Sequence, residues 1–273
     1  MPTTYTHYKY GADVIDSLPA RLQQAIENNR ELYDIGLHGP DILFYHGILR
    51  TNHVSQTGIT LHEQAATSFF KHAANVMKNA SDQAAARAYL YGVICHFALD
   101  SECHKYVEKM IQVSGISHHE IEMEFDRFLL VGEGISPTTH VLTNHLIASM
   151  KNAQIIAPFY QGITPKAVHR SLKRMLLVHK ALLAPKPIKR KILAKAMKLA
   201  KIYDEKYGLI MSIEANEKCQ DYVLLLKKLY AGSVPLAVGL IMQYQKVLQG
   251  EGEIPTRFSE TFGAGEDWEK IIL

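Results

Sequence analysis

Between Ala85 and Leu99 the chain reads AARAYLYGVICHFAL, a run too apolar to face water, and it continues without a break into Asp100, Cys103 and His104. A helix of this composition belongs in an interior. It nevertheless carries His96, Asp100 and His104, each four residues after the last. At 3.6 residues per turn, four steps advance about 400°, so the three side chains drift by only about 40° each and share one face. A buried carboxylate is costly unless it is paired, hydrogen-bonded or coordinated. Whatever this chain folds into has to bring partners to that face.

The supply of partners is uneven along the chain. Twelve of the fourteen histidines lie in the first 145 residues, whereas Pro165–Lys206 holds thirteen Lys and Arg against Asp204 and Glu205, a local excess of +11 in a chain of net charge +3. A histidine-rich, acidic front therefore precedes a basic rear. With 47% apolar residues the chain can bury a core, which excludes disorder as its main state. The amino terminus has no apolar signal-peptide region, the runs Tyr89–Leu99 and Val234–Met242 fall short of the ~20 residues of a membrane span, and Cys95, Cys103 and Cys219 are an odd, sparse set. These features predict a cytoplasmic protein without a transmembrane segment.

Helical periodicity dominates, which predicts an all-α fold in a single domain over 1–273. Within it, 1–130 is the histidine-bearing helical half, 131–249 the basic helical half and 250–273 an extended tail. Helices are expected over Thr6–Ser17, Pro19–Asn29, His62–Asn79, from the Ser81-Asp82 cap to about Met110, and from the Ser117 cap to Leu130. Others are expected over Pro165–Leu183, Ile188–Tyr207, Ile213–Ala231 and Pro235–Leu248. GLHGPD reads as an irregular loop holding His38 and Asp41.

A second helix repeats the spacing with His118 and Glu122; His62 opens a third, His7 lies in the first, and Asp41 sits in the Gly-Pro loop. Eight N/O donors without clustered thiols form the ligand mixture of zinc or manganese hydrolytic centres rather than of structural zinc. The alternative is a neutral, hydrogen-bonded core network. His38 is a possible substitute ligand or a plain loop histidine, and His119 is expected to be exposed. Cys95 and Cys103 point about a quarter-turn away from the ligand face. Tyr5, Tyr8, Tyr10, Tyr45, Tyr89 and Tyr91 are candidates to wall a pocket, or core residues with satisfied hydroxyls. There is no P-loop, dinucleotide fingerprint, HExxH or GxSxG, so kinase, zincin and serine-hydrolase classes are set aside.

The ordered set of His7, GLHGPD with Asp41, His62, CHFALDSECH with His96, Asp100 and His104, and SHHEIE with His118 and Glu122 resembles the zinc-dependent prokaryotic phospholipase C family, whose fold is shared with single-strand-specific zinc nucleases. The resemblance spans about residues 1–130. It implies one zinc on Asp41, His62, His96 and Asp100, a neighbouring zinc on His104, His118 and Glu122, and a third on His7, a bridging Asp100 and the first residue's amine and carbonyl, although the Met-Pro start departs from the family's processed amino-terminal tryptophan. It implies a phosphodiester hydrolase of phospholipase C type, with Asp41 orienting or deprotonating the attacking water. The alternatives are a nuclease-type phosphodiesterase and a metal-binding module without turnover. The expected partner is a phospholipid or other phosphodiester, with nucleic acid second. The basic rear either makes a peripheral membrane contact or is an ordinary solvated helix face, since Ile192, Leu193, Ala196, Met197 and Leu199 gather on one side and Lys191, Lys195, Lys198 and Lys201 on another.

Overall fold

The computed structural model describes residues 4–48 and 50–273. The chain is all-α: among the described residues there is no strand, only one isolated antiparallel bridge between Ala65 and Thr261. In chain order the helices are α1 (Thr4–Ser17), α2 (Ala20–Glu27), α3 (Arg30–Gly36), α4 (His53–Glu63), α5 (Thr67–Asn79), α6 (Gln83–Ser114) and α7 (His118–Gly132). They continue with α8 (Met150–Ile156), α9 (Pro165–Leu182), α10 (Pro187–Leu199), α11 (Tyr203–Lys206) and α12 (Gln220–Gln249).

The apolar run found in the sequence is the middle of α6, and the rest of the bundle is arranged around it. Asp82 caps its start by accepting from the Ala85 N–H, and Gly115 ends it in the left-handed conformation at φ 69°. Helices α1, α3, α5, α7 and α12 all pack on α6. The α3 crossing is the tightest: a Cβ at Gly36 would meet the Tyr89 carbonyl at 2.1 Å, and one at Gly92 would meet the Tyr33 carbonyl at 2.3 Å. Two glycines facing each other let the backbones touch, and the chain leaving α3 is thereby laid along the His96 turn of α6. One apolar cluster runs from Tyr10 to Phe262, through the front helices, α9 and α12 and into the tail.

Several boundaries differ from the sequence expectation, each for a local reason. His62 does not open a helix; it lies at the end of α4, which starts earlier because Asn52 accepts from Val54 and Ser55 N–H while Ser55 Oγ accepts from Asn52 N–H, a complete capping box. The GLHGPD segment is not an open loop. It follows α3 and opens a 3₁₀ helix over Gly39–Gly47. The stretch before Tyr160 contains α8, and the basic segment breaks after Leu199. The two helices expected on either side of Pro235 are a single helix, α12, with the proline inside it. Ser233, Ala237, Leu240 and Ile241 bury its inner face, and Tyr10 donates to the Ser233 carbonyl at 2.7 Å, so packing holds the helix through the residue that removes a backbone donor. Joined in this way, Glu217–Gln249 becomes the one stretch among the described residues long and apolar enough to cross a bilayer, which the two shorter runs in the sequence were not. About a third of its most apolar window is buried against the rest of the chain.

Asp126 ties the first helix to the seventh. Its carboxylate accepts from Tyr5 N–H (3.1 Å), Thr6 N–H (2.7 Å) and Thr6 Oγ1 (2.7 Å), satisfying two of the free donors at the start of α1 with an anion from 120 residues away. Replacing it with Ala leaves those donors buried and unpaired. Asp126→Ala is expected to lower unfolding stability by about 2–3 kcal/mol, read by chemical denaturation; an unchanged midpoint and slope would remove this residue from the anchoring role.

Candidate metal centre

The sequence places His96, Asp100 and His104 on one stripe of α6, and the structure extends the stripe by one more step to Glu108. A second ladder of the same spacing, His118, Glu122 and Asp126, runs along α7. The two ladders face each other. His104 Nε2 lies 3.3 Å from Glu122 Oε1, His118 Nε2 lies 3.0 Å from the same oxygen, and His118 Nδ1 lies 3.3 Å from Glu108 Oε1. Further toward the start of α6 on the same stripe, His96 Nε2 is 3.2 Å from Asp100 Oδ2 and 3.9 Å from Asp41 Oδ2, and His62 Nε2 is 2.9 Å from Asp41 Oδ1. Asp100 sits between the two groups, with His7 Nε2 3.1 Å from its Oδ1 and His104 Nδ1 3.7 Å from its Oδ2.

Two sets of donors thus converge, each with one ligand atom per residue and all atoms within 4.8 Å of one another: Asp41, His62, His96 and Asp100 in the first, His104, His118 and Glu122 in the second. Both fit a divalent cation. Tetrahedral ligands at zinc's bond lengths of about 2.0–2.1 Å lie about 3.3 Å apart, which is the range of the separations above. The contacts are close, yet His96 Nε2, Asp41 Oδ1, Asp100 Oδ2, His118 Nε2 and Glu122 Oε2 are buried without a hydrogen-bond partner. Lone pairs grouped in this way and not spent on one another suit a cation between them. A small cavity of about 20 Å³ opens among Thr6, Asp100, His104 and Glu122.

The imidazoles are aimed by their opposite nitrogens. His62 Nδ1 meets the Gly58 carbonyl at 2.8 Å, His96 Nδ1 the Leu37 carbonyl at 3.2 Å, and His104 Nδ1 the Phe262 carbonyl at 2.8 Å. A carbonyl only accepts, so each Nδ1 carries a hydrogen and each Nε2 is the atom turned toward the centre. Three different regions supply these carbonyls. The tail is therefore part of the site rather than a free extension: Phe258 and Phe262 are fully buried against Phe70 and Phe97, and Gly263 N–H donates to the His62 carbonyl.

Asp41, expected on a loop, is 1% exposed on its 3₁₀ helix. His38 joins neither donor group; it is fully buried and its Nε2 lies 2.8 Å from His145 Nε2. His119, expected on the solvent side, is half-buried, with its pKa pushed down to about 3 by burial. The three cysteines are free and buried, and none joins a donor group. The tyrosines serve mainly as core: Tyr89 bonds Tyr160, and Tyr45 bonds His179, hydroxyl to partner at 2.7 and 2.9 Å. The terminal donors invoked for a third ion belong to residue 1, outside the described residues. The aiming carbonyls of Leu37 and Phe262 have no sequence signal, whereas Glu108 could have been found as the next step of the α6 ladder.

Charge sets the protonation pattern. Burial opposes ionisation of Asp41, Asp100 and Glu122, but the surrounding imidazoles overcome it and hold all three carboxyls below their usual range. Burial takes His96 down to about 4, against the pull of Asp100 and Asp41. His104 goes the other way: against burial, Asp100 and Glu122 carry it up to about 9.

This all-α bundle seats two imidazole–carboxylate groups side by side, one between α6 and α7 and the other between α6, α4 and the 3₁₀ helix, an arrangement that fits divalent metal. A family model described as zinc dependent phospholipase C matches residues 6–176, more than half of the chain, and the chain belongs to that family. No curated protein and no solved structure matches it.

Gly39 meets the site directly. Its φ is +44°, and a Cβ there would lie 2.5 Å from His96 Cδ2. Gly39→Ala is expected to lose about 2 kcal/mol or more of stability, from left-handed strain and the displaced ring, in denaturant unfolding. The metal-free protein should also show a distinctive pH dependence. The folded value of His104 lies above the usual 6.5, so its contribution to stability is complete below about 6.5 and is lost as pH rises through about 9. The melting temperature of chelated wild type is expected to fall across that window more steeply than that of chelated His104→Gln; equal slopes would assign the dependence elsewhere.

Proposed function

We propose that this chain is a zinc-dependent phosphodiester hydrolase of phospholipase C type. The observation that carries the reading is the pair of adjacent donor groups, five of whose buried atoms have no hydrogen-bond partner. In it, Asp41, His62, His96 and Asp100 hold one zinc and His104, His118 and Glu122 a neighbouring one, with Asp100 and His7 available to a third. Bound zinc would neutralise charge on the phosphoryl oxygens and acidify a water at near-neutral pH. Asp41 is held ionised by the His96 and His62 rings, so its carboxylate is ready to accept the proton of the attacking water. Leu37, Gly58 and Phe262 fix His96, His62 and His104 so that these rings need not reorient as the substrate binds. His62 and His118, each partly exposed, mark where the centre is reached from solvent.

Metal content and turnover test the reading together. Protein purified without added metal is expected to contain zinc by elemental analysis. Glu122→Ala should empty the His104–His118 group, and His96→Ala the Asp41–His62 group; unchanged content in either variant removes that residue from the centre. Hydrolysis of a chromogenic phosphodiester should vanish with chelator and return with zinc, and Asp41→Asn should lower kcat by about 10²–10⁴. Zinc without turnover would instead mark a binding module. Direct comparison of phosphatidylcholine vesicles with single-stranded DNA assigns the substrate, with phospholipid expected to be the one consumed.

A further inference from the structure

Helix α10 leaves three large aliphatic side chains uncovered on one side. Its inner side is anchored: Met197, 8% exposed, packs with Ala184 and Ile210, Leu193 lies against the same cluster, and Arg190 donates to the Met211 carbonyl. On the other side, Ile188, Ile192 and Leu199 fall within about 40° of one another. They are 72%, 62% and 77% exposed. Lys191 and Lys195 lie next to this stripe on the same solvent side, and Lys198 rests over the Tyr203 ring at 4.7 Å. The Lys and Arg side chains that pair with carboxylates among the described residues are Lys9, Arg30, Arg127, Lys206, Arg257 and Lys270, none of them on α10. An ordinary surface helix turns its aliphatic side to the core. This one splits its apolar residues between core and water and borders the wet ones with ammonium groups.

The segment before it is also cationic. A groove on α9, of about 360 Å³, is lined by Lys166, His169, Arg170, Lys173 and Arg174 with no carboxylate, and Leu177 at its edge is 67% exposed.

We propose that α10 is an interfacial helix that docks the protein on an anionic phospholipid surface, with Ile188, Ile192 and Leu199 entering the headgroup–acyl boundary and Lys191 and Lys195 at the level of the phosphates. Charge complementarity selects an anionic partner, and the aliphatic stripe selects lipid among anions. A nucleic acid would engage the lysines and leave the stripe in water. Helix α10 lies beyond residues 6–176, so membership of the family does not by itself account for it. Docking requires neither zinc nor turnover, and its failure would leave the phosphodiesterase reading standing.

The full chain is floated with vesicles of phosphatidylcholine, with and without phosphatidylserine. It is expected to bind the phosphatidylserine vesicles and to release them as salt is raised. Lys191→Glu with Lys195→Glu should weaken that binding at least about tenfold, since each lysine near such a surface contributes about fivefold. Ile188→Ser, Ile192→Ser and Leu199→Ser together should weaken it comparably, because aliphatic burial is the other half of the attachment. All five side chains are exposed, so both variants should keep the helical circular dichroism and the chromogenic activity of wild type. Absence of binding, or equal binding to both vesicle types, overturns the proposal. So does a serine variant that binds like wild type, and a lysine variant that loses single-stranded DNA while keeping lipid would assign the surface to nucleic acid instead.

Discussion

The fold is organised by the need to keep Asp100 charged inside a helical bundle. The carboxylate is almost completely buried on the longest helix, where desolvation alone would force it to protonate. His7, His96 and His104 surround it at 3.1–3.7 Å and hold it ionised. Removing one member of such a group strands the charge of the others, and that is why a cluster of this kind fixes the relative positions of the helices that bear it. Helices α1, α6 and α7 and the Asp41 segment are bound into one arrangement by charge as well as by apolar packing.

The imidazoles add a second constraint, in the backbone. His96, His62 and His104 turn their Nε2 toward the centre because their other nitrogen is held, and the holders are carbonyls of the chain after α3, of α4 and of the tail, while Glu108 holds His118. Close helix crossing makes this possible. The Gly36–Gly92 contact brings Leu37 to His96, and the aromatic packing of Phe262 brings its carbonyl to His104. Apolar packing of the core therefore sets the tautomers of the polar centre, and substitutions in remote packing residues should be felt at the donor atoms through those carbonyls.

Charge opposes itself within the centre in a useful way. The first donor group has one imidazole driven toward its neutral form by burial, His96, whereas the second has His104 driven toward its protonated form by two carboxylates. His96 therefore meets an incoming cation with its proton already disfavoured, whereas His104 has a favoured proton to release. Outside the centre, the front and rear of the molecule divide the chemistry: buried histidine and carboxylate in the front helices, exposed lysine and aliphatic side chains on α10.

The i, i+4 ladders on α6 and α7, the Asp82 and Ser117 caps and the all-α class were legible in the amino-acid sequence, because helical phase and capping depend on neighbours a few positions away. His62 ends a helix rather than opening one because the Asn52–Ser55 capping box starts α4 at His53, and α12 runs through Pro235 because tertiary packing overrides the local tendency of proline to break a helix. Which side of α10 faces water could not be read from its composition, since the same apolar pattern serves a buried face or a bare one. Which residues can be donors and which share a helix face follow from residue type and a 100° step, so both are written in the chain. That two such faces meet, that Asp41 is enclosed and that the carbonyls of Leu37 and Phe262 aim the rings come from how the elements pack. Those are contacts between residues 59 and 158 positions apart, fixed by how the helices and the tail pack rather than by anything written locally in the chain.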